Sequence, residues 1–367
     1  MTIYNEDLKY WVSFTRIPGI GRIKIGLLVD YFSTLQNAWK APVSEIRHAG
    51  IDEKISSLIS DYRNKINPDF ELENLQKHNV AAIPCNAQDY PGKLKEIHDY
   101  PPVLYIRGSL SPSDENSIAV VGTRKASAYG RQVTEEIVSD LANSNISIIS
   151  GLARGIDTVA HRAALEVSGR TLAVFACGLD IVYPAENGAL AKSILENGAL
   201  ISEYPIGTKP KPEYFPRRNR IMSGLSIGVL VIEAGGKSGA LITAEQALNQ
   251  NREVFAVPGS IFSPYSKGTN RLIQQGAKLV ISYMDVLDEL NMAGMVQQLE
   301  AKEFHPNDNN ESIILQHLSH EPKHIDEICR CSKLSLQTVS SSLAMLELRG
   351  VIKQMGVLNY ILTKGVR

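Results

Sequence analysis

Twice between Ser117 and Asp157 a short apolar run ends at a glycine and gives way to a helical pattern. Ile118 to Val121 leads into Gly122-Thr123-Arg124, then into Tyr129-Gly130 and a helix with Val133, Ile137 and Leu141 on one face. Ile146 to Ile149 leads into a second turn, Gly151 to Gly155. A strand covered on both faces needs a continuous apolar run, and such strands belong to parallel sheets. Two consecutive strand–turn–helix units put both turns at one carboxyl edge of the sheet, where open α/β sheets bind ligands. Each turn carries an arginine, Arg124 and Arg154, so the expected ligand is an anion.

The alternation continues to about Leu290, with apolar runs at 171–177, 199–203, 227–232, 253–257 and 278–281 separated by helical patterns and glycine or proline breaks. The expected fold class is therefore α/β: an extended Rossmann-like, doubly wound, mostly parallel sheet spanning 67–290, whose first part, 67–116, is a connector with strand content. Residues 1–66 are expected to be a small helical domain. In it Ile17-Pro18-Gly19-Ile20-Gly21 between two helices resembles a helix-hairpin-helix, whose backbone N–H groups, with Arg22 and Lys24, would meet a DNA phosphate. A plain turn between two packed helices accounts for the same glycines. A polar linker is expected at 291–310. Three helical patterns and a hairpin at 311–367 have the layout of a winged helix. Its would-be recognition helix, Ser335 to Arg349, is mostly serine and apolar, so a protein contact fits as well as duplex reading.

Length and charge restrict the function classes. A chain of 367 residues suggests two or three domains, and 44% hydrophobic residues supply a sizeable core. A formal net charge of −1 gives no global basic field, so any polyanion site must be local. Met1 is followed by a polar start, and no run is long enough to span a bilayer. Four cysteines, Cys85, Cys177, Cys329 and Cys331, lack the spacing of a disulfide scaffold or a zinc site. The expectation is a reduced, cytoplasmic protein without a structural metal.

The groups that could carry chemistry are mostly binding groups. No glycine turn here is a phosphate-binding Gly-x-x-x-x-Gly-Lys-Ser/Thr or a dinucleotide Gly-x-Gly-x-x-Gly. Ala234-Gly235-Gly236-Lys237-Ser238-Gly239 resembles the Pro-Gly-Gly-x-Gly-Thr turn of nucleotide-processing enzymes but lacks the proline and the threonine. Tyr214-Phe215-Pro216-Arg217-Arg218-Asn219-Arg220 reads as the end of a proline-rich loop that grips phosphates and stacks bases, with one arginine open to pairing with Glu203 or Glu213. Asp157 and His161, four apart, could pair as acid and base, but a first-turn carboxylate explains Asp157 equally. No serine or cysteine nucleophile sits in a strand-to-helix elbow.

Taken together and in order, Gly122-Thr123-Arg124, Ser150 to Asp157, Phe215 to Arg220, Glu233 to Leu241 and Phe255 to Gly259 resemble the signature motifs of the DNA-processing protein A (DprA/Smf) family. The resemblance implies a non-enzymatic, cofactor-free protein that binds and protects single-stranded DNA and loads RecA recombinase onto it during natural transformation. It also implies a homodimer formed through the Rossmann-like domain. The single-strand-binding residues it implies are Gly122, Thr123, Arg124, Gly151, Arg154, Arg217, Arg218, Asn219, Arg220, Lys237, Ser238 and Gly239. The alternative is a nucleotide-processing enzyme of related fold, of the phosphoribohydrolase type.

Overall fold

The computed structural model describes residues 6–292, 309–319, 323–349, 351–354 and 358–362. The expected linker falls, from 293 to 308, outside the described residues. The chain divides into two compact units, Met1–Glu289 and Leu290–Arg367.

The first unit opens with α1 (Leu8–Thr15), α2 (Arg22–Phe32), α3 (Leu35–Lys40), α4 (Val43–His48), α5 (Glu53–Arg63) and α6 (Pro68–Lys77). Side chains of Thr34, Asp52 and Asn67 accept backbone N–H groups at the starts of α3, α5 and α6, satisfying donors that a helix end leaves free. Helix α6 lies where the sequence suggested a connector. Asn67 as the cap and Pro68 at the first helical position form a start signal that counting apolar runs passes over. Trp11, Phe14, Leu28, Leu35, Ile46 and Ile59 share one buried core with Tyr105, Phe175 and Leu200. The helices therefore cover part of the sheet that follows.

That sheet and its helices run β1 (Ala81–Pro84), α7 (Gly92–Glu96), β2 (Val103–Gly108), β3 (Ser117–Val121), α8 (Ala128–Asn143), β4 (Ser147–Ser150), α9 (Ile156–Glu166), β5 (Thr171–Phe175), α10 (Gly188–Ile194), β6 (Gly198–Ser202), α11 (Tyr214–Leu225), β7 (Gly228–Val231), α12 (Gly239–Asn249), β8 (Glu253–Ala256), α13 (Lys267–Gln274), β9 (Lys278–Leu279) and α14 (Tyr283–Glu289). The strand order is β1-β2-β6-β5-β4-β3-β7-β8-β9. Strands β3 to β9 pair in parallel, while β2 is antiparallel to β6 and β1 to β2. Ile118 of β3 lies opposite Ile148 of β4 on one side and Gly228 of β7 on the other. From β3 the chain winds first one way, through β4, β5 and β6, then crosses back to β7 and winds the other way. The reversal at β3 and β7 is the crevice where doubly wound sheets take ligands.

One expected loop is a helix. The stretch from Tyr214 to Arg220 forms the first turns of α11 rather than a proline-rich loop. Pro216 is the third helical residue, inside the first turn, where the N–H it lacks would have had no partner within the helix.

The second unit contains α15 (Asn309–Gln316), β10 (Lys323–His324), α16 (Ile325–Ser332), α17 (Leu336–Leu348), β11 (Ile352–Gln354) and β12 (Asn359–Leu362), with an antiparallel sheet ordered β10-β12-β11. Ile314, Ile328, Val339, Leu343 and Leu346 meet in its core, giving a winged helix. Gln337, Ser340, Ser341 and Met345 are exposed on α17, so this helix presents no basic face.

Candidate nucleic-acid interface

The three glycine turns at the reversal are tied to one another through the backbone. Thr123 N–H donates to the Glu233 carbonyl oxygen at 2.8 Å, and Ile156 N–H donates to the Thr123 carbonyl oxygen at 3.1 Å. The buried Glu233 carboxylate accepts from Ser127 N–H at 3.0 Å and Ser127 Oγ at 2.6 Å, and Ser127 caps α8. Gly155 has φ +78°, and a Cβ there would run into the Thr123 carbonyl oxygen and the Arg124 backbone. Only glycine lets the second turn lie this close to the first.

Under these turns is a buried charged layer. Asp157, in the first turn of α9, accepts from Gly151 N–H at 3.2 Å and Ala153 N–H at 3.3 Å. Burial pushes its carboxyl up, against the opposing pull of Arg218 and the two amides. Arg218 is 4% exposed and donates from Nη1 to the Val174 carbonyl oxygen at 2.6 Å. Its guanidinium lies where a side chain at position 151 would begin. The acid–base pairing of Asp157 and His161 is not realised. Thr171 Oγ1 donates to the Ile148 carbonyl oxygen at 2.8 Å, so it accepts from His161 Nδ1, 2.7 Å away. His161 Nε2 is then an unprotonated, buried nitrogen with no partner among the described residues. Burial, helped by Arg218, holds the imidazole pKa down at about 3, so the ring stays neutral.

Helix α11 separates two hollows of ≈ 850 Å³ each. Phe215, Pro216 and Asn219 face the central cleft with Gly122, Thr123 and Arg124 on one wall and Gly235 to Gly239 on another. Arg124 is exposed and stacks over the Phe215 ring at 5.4 Å, and Tyr183 lies 5.6 Å from the same ring. Lys237 is exposed, and Ser238 caps α12 by accepting from Ala240 N–H at 3.3 Å. A Cβ built at Gly236 or Gly239 would meet no protein atom within 4 Å, so that side of the turn is open to a ligand.

Tyr214, Arg217 and Arg220 face the other hollow, beside the 16–24 hairpin and Tyr100. Arg220 is half-buried and binds Glu203 at 2.5 Å and Asp99 at 3.3 Å. It realises one of the pairings that the sequence left open, an arginine of this cluster with Glu203 or Glu213. Arg217 remains exposed there. In the same hollow Arg22 stacks on Tyr100 at 4.6 Å, and Lys24 pairs with Asp52 at 3.0 Å, so both hairpin cations are engaged within the protein.

Of the residues singled out from the sequence, Gly122, Thr123, Arg124, Asn219, Lys237, Ser238 and Gly239 converge on the central cleft, with Arg218 at its buried floor. Gly151 lies behind the cleft against Arg218. Arg217 and Arg220 belong to the other hollow, and Arg154 is held by Glu186 through two hydrogen bonds of 2.8 Å. Three cations near Arg154 had no signal in the sequence, because Lys125, Arg131 and Arg162 look like ordinary solvated charges. Tyr183, beside Pro184, carried no signal of a ligand role in the sequence.

Among the described residues no helix is long and apolar enough to cross a membrane. The profile of the family described as DNA recombination-mediator protein A matches residues 81–291, and that of the DprA winged helix domain matches 305–356. Protein Smf of Synechocystis is 35% identical over 387 aligned residues, covering 95% of this chain and 97% of that protein. The DNA processing protein DprA of Bacillus subtilis is 46% identical over 220 residues, covering 60% of this chain and 74% of that protein. The crystal structure of DprA from Streptococcus pneumoniae superposes with a TM-score of 0.68 at 36% identity, covering 77% of this chain and 97% of that one. The Helicobacter pylori protein, whose structure is described as revealing a unique single-stranded DNA binding mode, superposes with a TM-score of 0.53 at 29% identity, covering 58% and 95%. With the motifs, the fold and both profiles in agreement, the chain belongs to the DNA recombination-mediator protein A family, the DNA-processing protein A (DprA/Smf) proteins.

Proposed function

We propose that this protein binds single-stranded DNA in the central cleft, protects it and loads RecA recombinase onto it during DNA uptake, without catalysing a reaction. The observation that carries the proposal is the pairing of Arg124 and Lys237. They come from different turns at the sheet reversal, both are exposed, and neither is in an ion pair among the described residues. Phe215 lines the same cleft, of ≈ 850 Å³, and offers an aromatic surface for a base. The likeness to a single-strand-binding protein of Helicobacter pylori, and the description of the family as recombination mediators, support the same assignment.

The enzymatic alternative, a phosphoribohydrolase-like activity, has little chemistry to draw on here. Asp157 and His161 are both buried and committed to structural hydrogen bonds. A homodimer through this unit is part of the proposal. Ile261 and Phe262, after β8, are 78% and 89% exposed, and Ile281, just past the neighbouring edge strand β9, is 75% exposed, an apolar margin suited to a second copy. A cytoplasmic location goes with the same function.

Fluorescence anisotropy on labelled oligo-dT, with duplex and mononucleotide competitors, tests the assignment. Arg124→Ala with Lys237→Ala should weaken binding at least tenfold and lower the log–log salt slope by about 1.4, which is about 0.7 for each phosphate no longer neutralised. Undiminished binding in the double variant would remove the cleft as the site. Release of free base from nucleotides would replace the binding protein with an enzyme.

A further inference from the structure

A third hollow, of ≈ 480 Å³, opens beside the central cleft, and Arg124 lines both. We infer that this hollow continues the path of the DNA strand, with Arg131 and Arg162 holding the phosphodiesters that follow those in the central cleft. The inference rests on single-strand binding as proposed above.

The charge balance is local and lopsided. Arg124, Lys125, Arg131, Arg154 and Arg162 border the hollow, and its acidic side chain, Glu186, is already held by Arg154. Arg131 projects from the start of α8 and Arg162 from the middle of α9, two helices packed side by side. Both arginines are exposed. Each also has a glutamate four residues on, Glu135 and Glu166, the usual partner for a solvated cation on a helix. Neither pair forms among the described residues, and both arginines border the hollow instead. Arg131 is anchored at the rim by donating from Nη1 to the Ala126 carbonyl oxygen at 2.7 Å, which leaves its other donors free.

The class of ligand follows from what lines the hollow. Among the described residues no aromatic ring borders it, whereas Phe215, Tyr183 and Tyr265 line the central cleft. A hollow with guanidinium groups and no stacking surface recognises the sugar-phosphate backbone and is indifferent to base. Because Arg124 belongs to both, phosphates can pass from one to the other without leaving the positive field.

The test uses the full chain and oligo-dT of about 4 and about 16 nucleotides, the range of footprints for a single-strand groove. Arg131→Ala with Arg162→Ala should weaken binding of the longer strand at least tenfold and lower its salt slope by about 1.4. The same variant should bind the shorter strand within twofold of the parent, and Arg131→Lys with Arg162→Lys should recover most of the affinity. Unchanged affinity and salt slope for the longer strand would overturn the inference while leaving the central cleft intact. A parent protein that binds neither length would overturn both assignments.

Discussion

The Arg218 guanidinium fills the space that a side chain at position 151 would need, and Gly151 leaves that space free. The glycine is demanded from beneath, by a buried arginine that spans from Asp157 to the carbonyl of Val174. Gly151→Ala should therefore destabilise the protein by about 1–3 kcal/mol, the usual cost of overpacking. Arg218→Ala should cost more, about 3–5 kcal/mol, because it strands the Asp157 carboxylate in the interior. Urea unfolding of the double variant should show less than the sum of the two losses, since the second change removes the group that the first one hits.

Two arginines three positions apart on α11 should behave in opposite ways. Arg220→Ala leaves the buried Glu203 carboxylate without its main partner and should cost about 3–5 kcal/mol in urea unfolding. Arg217→Ala removes an exposed cation and should leave the unfolding midpoint where it is. Equal losses in the two variants would contradict the burial pattern.

Arg154 is occupied. Its two hydrogen bonds to Glu186 hold the Glu186 carboxyl below the usual carboxylate range. Glu186→Ala should release Arg154 and remove the acid that borders the basic hollow. The expected outcome is several-fold tighter binding of oligo-dT and a salt slope steeper by about 0.7, the increment for one more neutralised phosphate. Weaker binding would mean that Glu186 positions Arg154 for the strand instead.

His161 should make stability fall on acidification. Its folded pKa, about 3, lies below the ordinary value of 6.5, so the folded state resists protonation and the unfolded chain accepts it. The stabilisation is complete above pH 6.5 and is lost progressively as pH falls toward 3. At pH 5 the loss should be about 2 kcal/mol, at about 1.36 kcal/mol per unit of displacement. Unfolding free energies at about pH 7 and about pH 5 should differ less in His161→Gln than in the parent, and equal pH slopes would refute the assignment.

The sheet could be read from the chain because parallel strands leave a plain trace, an apolar run closed by glycine, as at Ile118 to Gly122 and Ile148 to Gly151. The turns at the reversal were legible for the same reason. What local pattern does not encode is which long-range partner each arginine finds. Arg154 and Glu186 are separated by 32 positions, with α9 and β5 between, and Arg220 and Glu203 by 17, with the loop ahead of α11 between. Nor did the prolines around Tyr214 disclose a helix, since proline in a first turn and proline in a loop look alike in sequence. Arg131 and Arg162 stayed hidden because each had a glutamate at helical spacing to account for it.

The partition made by α11 means that angle, more than charge, determines what the arginine-rich segment does. Successive residues of a helix point about 100° apart, so Arg217, Arg218 and Arg220 address the hairpin hollow, the interior and the Glu203 pair in turn. Inserting one residue ahead of Tyr214 would keep every charge and turn all of them by that angle. Arg217 would be driven inward beneath Gly151, and Pro216 and Asn219, which now face the cleft, would turn toward the hairpin hollow. A chain with the same composition in another helical phase should fold poorly and bind weakly.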